Sequence, residues 1–175
     1  MSDPVINDQF DQIMLRIANI QITVEVPGVS RPNILAAEPY QPSDTNSIKM
    51  PFVINEAHGG PADIPISSGQ QYVTTDIWMM FCLKRKEGMT NLKLGARETI
   101  MWRNAVLSTF AKRVKLSDPA MDDVPGQAHY GLPFVLDAHI TSWEAPVNYV
   151  YAANEYLAIK FILRVNEFYI TEIDK

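Results

Sequence analysis

Apolar and polar positions along the chain recur with two different periods, which divide it into helices and strands. An apolar stripe with three- and four-residue spacing predicts an amphipathic helix over residues 4–20. Asp3-Pro4 supplies its N-cap and a proline at its first position. The stripe consists of Ile6, Phe10, Ile13, Met14, Ile17 and Ile20.

Four stretches predict β-strands. Residues 70–84 alternate with a period of two and are apolar on both faces toward their end, as expected for a central strand covered on both sides. A short apolar run predicts a strand over residues 51–57. Two long alternating stretches predict strands over residues 134–143 and 156–169, and residues 144–155 predict a long hairpin connection between them.

A second helical pattern runs from a cap at Thr90 or Asn91 to about Leu116, where Ser117-Asp118-Pro119 ends it. Several of its bases fall near the predicted C-terminus, where the helix dipole favours them. The predicted apolar stripe is Ala96, Ile100, Leu107, Phe110 and Val114, widened by Trp102, Val106 and Ala111.

The remaining sequence is rich in proline, glycine and small polar residues. It predicts long loops within residues 27–70 and 117–132. The 175 residues fit one domain with a sizeable core. The order α-β-β-α-β-β predicts an α+β fold: a mainly antiparallel sheet with the N-terminal helix and the long central helix packed mostly on one face.

Composition narrows the functional class. Hydrophobic residues make up 47% and charged residues 20%, which is ordinary for a globular protein. The sequence has no apolar run long enough to span a membrane and no signal-peptide pattern at its start. Cys82, the single cysteine, excludes an intramolecular disulfide and is compatible with a reducing compartment. We therefore expect assembly in the cytoplasm.

Charge is distributed very unevenly. The net charge is −5, but residues 84–115 hold nine bases and two acids, a net +7, which leaves −12 on the rest of the chain. Such a run is typical of a solvated helix face, and the size of the split favours a partner surface equally. The nine bases are Lys84, Arg85, Lys86, Lys93, Arg97, Arg103, Lys112, Arg113 and Lys115.

Candidate chemistry is sparse. His58, His129 and His139 share no metal-ligand spacing, and Cys82 has no companion. Gly59-Gly60 lacks the further glycines and lysine of a phosphate loop. His58, predicted to lie in a loop before these glycines, is a candidate general base only if folding supplies a partner. We therefore predict no enzyme, with no catalytic, cofactor or metal residues.

Aromatic residues concentrate around the last hairpin, where Tyr149 and Tyr151 stand near Trp143 and Tyr156. Aromatics are enriched at protein interfaces, and they also dominate cores. Core and interface roles are equally consistent with these positions.

The order of elements resembles the tail terminator, or tail completion, proteins of long-tailed bacteriophages. The resemblance covers nearly the whole chain and lies in element order, with no diagnostic motif. A short amphipathic helix is followed by an irregular stretch that ends in the strand Met50-Pro51-Phe52-Val53-Ile54. The long strand 72–84 then enters a basic helix. A final hairpin follows, and its second strand (156–165) leads to a Val-x-Glu step at Glu167.

The resemblance implies a virion protein of the tail or neck, assembled in the host cytoplasm. It implies a homohexameric ring that caps the tail tube protein and joins it to a head-side connector or stopper protein, with DNA passing through the lumen. The candidate interface or lumen residues are Lys84, Arg85, Lys86, Arg97, Arg103, Lys112, Arg113, Tyr149 and Tyr151.

Three alternatives remain open at this point. The long loops also fit another neck or tail-tube role. A small enzymatic or ligand-binding domain would use His58. An adaptor would dock a nucleic acid or an acidic partner through residues 84–115.

Overall fold

The computed structural model describes residues 9–30, 32–36, 49–62, 70–87, 93–122 and 131–170. The predicted α+β class is confirmed, with a helix first and two helices against one sheet. In chain order the elements are α1 (Gln9–Gln21), β1 (Asn33–Ala36), β2 (Phe52–Ala62), β3 (Gln70–Arg85), α2 (Ala96–Ala111), a 3-10 turn (Pro119–Met121), β4 (Val135–Tyr151) and β5 (Asn154–Ile170).

The strands form one sheet in the order β1-β2-β3-β5-β4. The four longer strands pair antiparallel, and β3 is central, as its two apolar faces predict. One part of the loop prediction for residues 27–70 is wrong, because β1 pairs parallel with β2 and β2 continues to Ala62. β1 has four residues, too few for a period to be recognised. Residues 37–48 and 63–69 of that predicted loop lie outside the described residues.

α1 packs on the sheet through its predicted stripe. Ile13, Met14 and Ile17 are buried, and they join a core that includes Phe81 and Phe161 on the same face of the sheet. The predicted start of this helix, with its Asp3-Pro4 cap, lies outside the described residues. The apolar face of α1 therefore defines the helix side of the sheet.

α2 is shorter than predicted. It begins at Ala96, with Gly95 as its N-cap, and ends at Ala111; the predicted caps Thr90 and Asn91 lie outside the described residues. No base occupies its last turn, so the dipole explanation of the basic run is wrong. The apolar pattern extends beyond the end of the helix because the chain turns after Ala111 and still buries Leu116, which has a φ of 54°.

The buried face of α2 is narrower than its apolar pattern. Trp102, Val106 and Phe110, spaced four residues apart, are buried against the sheet. Ile100 and Val114, predicted in the same stripe, are 46% and 49% exposed. The sequence pattern therefore merged a buried face with an exposed one.

The predicted connection at residues 144–155 is wrong, because both strands continue through it. β4 runs to Tyr151, β5 begins at Asn154, and the turn between them is Ala152-Ala153 with φ values of 47° and 63°. Pro146 fits because it lies where the pairing register shifts between Glu144 and Val147. Residues at such a bulge leave the hydrogen-bond ladder, so a missing N–H costs little there.

A second, smaller buried cluster lies on the other face of the sheet. It contains Phe52, Ile54, Met80, Cys82, Tyr151, Tyr156 and Ala158. The Phe52 ring on β2 is 6.1 Å from the Tyr151 ring on β4, although β3 and β5 lie between these strands. The sheet therefore curls at this end, and the end of the β4–β5 hairpin packs over the second face of the sheet.

Candidate assembly surfaces

The bases at the exit of β3 are held by neighbours in the chain. The register shift between Cys82 and Lys84 places Lys84 on the helix side, where its Nζ lies 2.8 Å from a Glu98 carboxylate oxygen. Arg85 donates to the Asn154 side chain on β5, and Lys86 lies 2.8 Å from Glu155. These three predicted surface residues therefore fasten the end of β3 to α2 and to the hairpin.

The two arginines of α2 have different surroundings. Arg97 is exposed and has no acidic partner among the described residues. The Arg103 guanidinium lies 5.3 Å from the centre of the Trp143 ring on β4, and it also donates to the Asn104 side chain at 2.9 and 3.1 Å. Arg103 and Trp143 therefore form a fixed cation–π pair between α2 and β4.

The bases after α2 also separate into two kinds. Arg113 donates to Asp122, to the Ser117 carbonyl and to the Ser117 hydroxyl, so it braces the turn that follows the helix. Lys112 and Lys115 are exposed, and the described residues offer them no acidic partner. The predicted cationic block is thus dispersed: among the described residues, Lys93, Arg97, Lys112 and Lys115 have no acidic partner, and Arg85 and Arg103 contact only neutral groups.

Tyr149 and Tyr151 lie on the second face, away from the basic residues of α2. Tyr151 is only 7% exposed within the second buried cluster, so it belongs to the core. The Tyr149 hydroxyl donates to the Glu56 carboxylate on β2. Burial, together with this negatively charged acceptor, raises the pKa of Tyr149 above its ordinary range. Tyr149 therefore acts as a neutral donor that closes the curled end of the sheet.

The rest of the second face, beyond this cluster, carries charged side chains in register. One cross-strand row runs from His58 on β2 through Asp76 on β3 and Arg164 on β5 to His139 on β4. Arg164 donates to both Asp76 oxygens at 2.8 Å, and these hydrogen bonds lower the pKa of Asp76. His139 in turn contacts Asp137. The row cannot be recognised in the sequence, because cross-strand neighbours depend on pairing register.

Trp78 stands in the middle of this region with its ring enclosed. The His58 ring stacks on it at 3.8 Å, and the Lys160 ammonium lies 4.0 Å from its centre, from the strand on the other side of β3. Glu144 lies 3.7 Å from Lys160. Trp78 is therefore part of a fixed polar network instead of a free stacking platform.

We call this region the open face and define it by its charged residues. They are the acids Glu56, Asp76, Asp137 and Glu144 and the bases Lys160 and Arg164. With neutral histidines this set has a net charge of −2. The open face is therefore acidic, while Arg97, Arg103 and Lys112, which have no acidic partner among the described residues, lie with α2 on the opposite side of the sheet.

In the part of the chain that the structure describes, groups suited to covalent or metal chemistry do not converge. Cys82 is fully buried, and burial raises the pKa of its thiol, which makes the reactive thiolate scarce. The described residues contain no group of three or more His, Cys, Asp or Glu placed to hold a metal ion. His58 lies within β2, so its predicted position in a loop is wrong. A pocket of about 250 Å³ beside α2 reaches Glu98, which is already paired with Lys84.

Comparison of the chain with protein-family models, curated proteins and solved structures finds no match in any of the three. Within the described ranges, no helix is long and apolar enough to cross a membrane.

Proposed function

We propose that this chain is a structural subunit of a phage head-to-tail junction, a ring-forming tail terminator that caps the tail tube and joins it to the head-side connector. The element order, which resembles that of tail terminators, supports the choice of this particular role. The charge distribution supports head-to-tail assembly on physical grounds.

The observation that carries the proposal is the separation of unlike charge on the two sides of one sheet. Exposed cations without acidic partners among the described residues accompany α2, and the open face has an excess of acids. Two copies that present the same side to each other would bring like charges together. A contact between unlike sides is favoured instead, and repetition of such a contact gives a closed ring when the rotation permits.

The proposal is tested by measuring the mass of the purified chain with native mass spectrometry and sedimentation, with and without isolated tail tubes. We expect a cyclic oligomer of six copies that binds one end of the tube. Moderate salt should weaken the association, because exposed charges are screened within about 10 Å at 0.1 M ionic strength. A chain that stays monomeric at every concentration and never binds tubes would refute the proposal.

Charge reversal separates assembly from binding of nucleic acid. Arg97, Arg103 and Lys112 are suitable positions, whereas Arg113 holds the turn after α2 and its reversal would disturb the fold. The triple change Arg97→Glu, Arg103→Glu and Lys112→Glu should abolish association while leaving the circular dichroism spectrum unchanged. If it instead abolished DNA binding by a monomeric chain, the adaptor hypothesis would replace ours.

A further inference from the structure

An exposed apolar strip runs between α2 and β4. We call it the α2–β4 flank and define it as Ile100, Arg103, Leu107, Val114 and Trp143. Ile100, Val114 and Trp143 are 46%, 49% and 40% exposed, and Leu107 is half-buried. Isolated exposed apolar residues are normal on protein surfaces, but here they line one strip on either side of a fixed Arg–Trp pair. Arginine and tryptophan are the residues most enriched at energetic centres of interfaces.

The strip is built by the elements already described. An α-helix rises about 1.5 Å per residue, so the part of α2 from Ile100, where the strip begins, to Ala111, the end of the helix, is about 16 Å long. The segment after the helix returns to β4, where the Ala138 N–H donates to the Val114 carbonyl at 2.6 Å. The strip therefore follows β4 along most of the length of α2.

β4 is the edge strand here, but its edge is poorly suited to strand addition. Its register shifts between Ile140 and Ser142 and again between Glu144 and Val147, and Pro146 lacks an N–H. Bulges and prolines of this kind prevent edge-to-edge pairing. A partner must therefore dock through side chains on the flank.

Charge identifies the partner. Arg97, which has no acidic partner among the described residues, and Arg103 lie three residues before and three residues after Ile100 on α2. A complementary surface must be acidic. The open face of another copy meets that requirement, since Glu144 is 67% exposed and Asp137 is half-exposed on the face of β4 opposite to Trp143.

We infer that the α2–β4 flank of one copy docks on the open face of the next, with Asp137 and Glu144 facing Arg97 and Arg103. This inference rests on the proposed function, because it names the two surfaces that a head-to-tail assembly would join. Trp143 fills the centre of the contact, and the cations form its rim.

A charge exchange tests the pairing. The flank variant carries Arg97→Glu and Arg103→Glu, and the face variant carries Asp137→Lys and Glu144→Lys. Each alone should weaken association by at least about a hundred-fold, because like charges at an interface cost several kcal/mol. An equimolar mixture of the two variants should assemble again, because each flank then meets a complementary face. One chain carrying all four changes should also assemble.

The apolar centre has its own test. Trp143→Ala should weaken association about thirty-fold, the effect of losing one interface hot spot. Val150→Ala is the matched control, because Val150 is 69% exposed near the hairpin turn, outside the flank, and its truncation should change nothing. Ser108→Glu adds an acid to an exposed position of α2 outside the flank and should leave association intact.

The outcomes separate this inference from the proposed function. If the unchanged chain assembles and either two-residue variant assembles equally well, the pairing is wrong and the assembly role stands. Loss of association in both variants without rescue in the mixture also overturns the pairing. If the unchanged chain never assembles, both the inference and the proposed function fail.

Discussion

Loss of two buried amides that bond each other should destabilise the fold by less than the sum of the two single losses. Gln21, the last residue of α1, is fully buried, and Asn55 on β2 is nearly so. The Gln21 amide nitrogen donates to the Asn55 oxygen at 2.6 Å, and the Asn55 nitrogen donates back at 2.9 Å. The two side chains thus satisfy each other and fasten the end of α1 to the sheet.

The size of the effect follows from this reciprocity. Asn55→Leu removes both hydrogen bonds and leaves the Gln21 amide buried without a partner. Each orphaned buried polar group costs roughly 1–3 kcal/mol, so we expect the free energy of unfolding to fall by about 2–4 kcal/mol. Gln21→Met should cost about the same for the same reason. The double variant should cost less than the sum, because two apolar side chains of similar shape leave no orphaned group.

Urea unfolding followed by circular dichroism gives the free energy of unfolding of the unchanged chain, the two single variants and the double variant, which together form a double-mutant cycle. We expect a coupling energy of about 1–3 kcal/mol with unchanged denaturant dependence. Thr74 and Asn166 form a control pair, joined by a 2.8 Å hydrogen bond at half-buried positions where water can replace the lost partner. Coupling between Gln21 and Asn55 within about 0.5 kcal/mol of zero would refute the reasoning.

Three further predictions concern the backbone and one ion pair. A Cβ on Gly131 would lie 2.0 Å from the Lys115 carbonyl oxygen, so Gly131→Ala should lower the thermal midpoint by several degrees, whereas Gly95→Ala, which meets nothing within 4 Å, should not. Ala152→Asn with Ala153→Gly should raise the unfolding free energy by about 1–2 kcal/mol in urea titrations, because these residues tolerate positive φ; an unchanged value would contradict the strain argument. Arg164 lowers the pKa of Asp76, so the stability that Asp76 adds is present above the pKa of an unfolded aspartate and is lost as pH falls through its lower folded value. Unfolding free energies measured from pH 5 downward should therefore converge with those of Asp76→Asn, and a constant difference would argue against this linkage.

Elements with a single strong period could be predicted from the sequence. α1, β3 and β5 each present one apolar stripe or alternation over more than ten residues, and tertiary packing follows that pattern. The connection at residues 144–155 could not be recognised as strand. Pro146 and the Ala152-Ala153 turn are unusual there, and only a bulge and positive φ values accommodate them.

The candidate surfaces could be predicted only in part, because a count of charges along the sequence does not show which of them are paired in the fold. Lys84, Lys86 and Arg113 contribute to the basic run in the sequence, but each is paired with a carboxylate in the fold. The open face depends on register across four strands, which a single sequence does not specify. The exposed stripe of α2 was visible as an apolar pattern and was assigned to the core, since periodicity alone cannot separate a buried face from an adjacent exposed one.

The proposed contact would lie directly beside the buried core. Arg103 directly follows Trp102, which is buried and whose ring lies 5.9 Å from that of Phe81 on the central strand. The position of the flank is therefore set by the core, and on the open face Asp76, Glu144 and Asp137 already contact Arg164, Lys160 and His139. Association of surfaces that are ordered beforehand loses little conformational entropy, so modest apolar area can suffice. A core change that loosens α2 should weaken assembly without touching either surface.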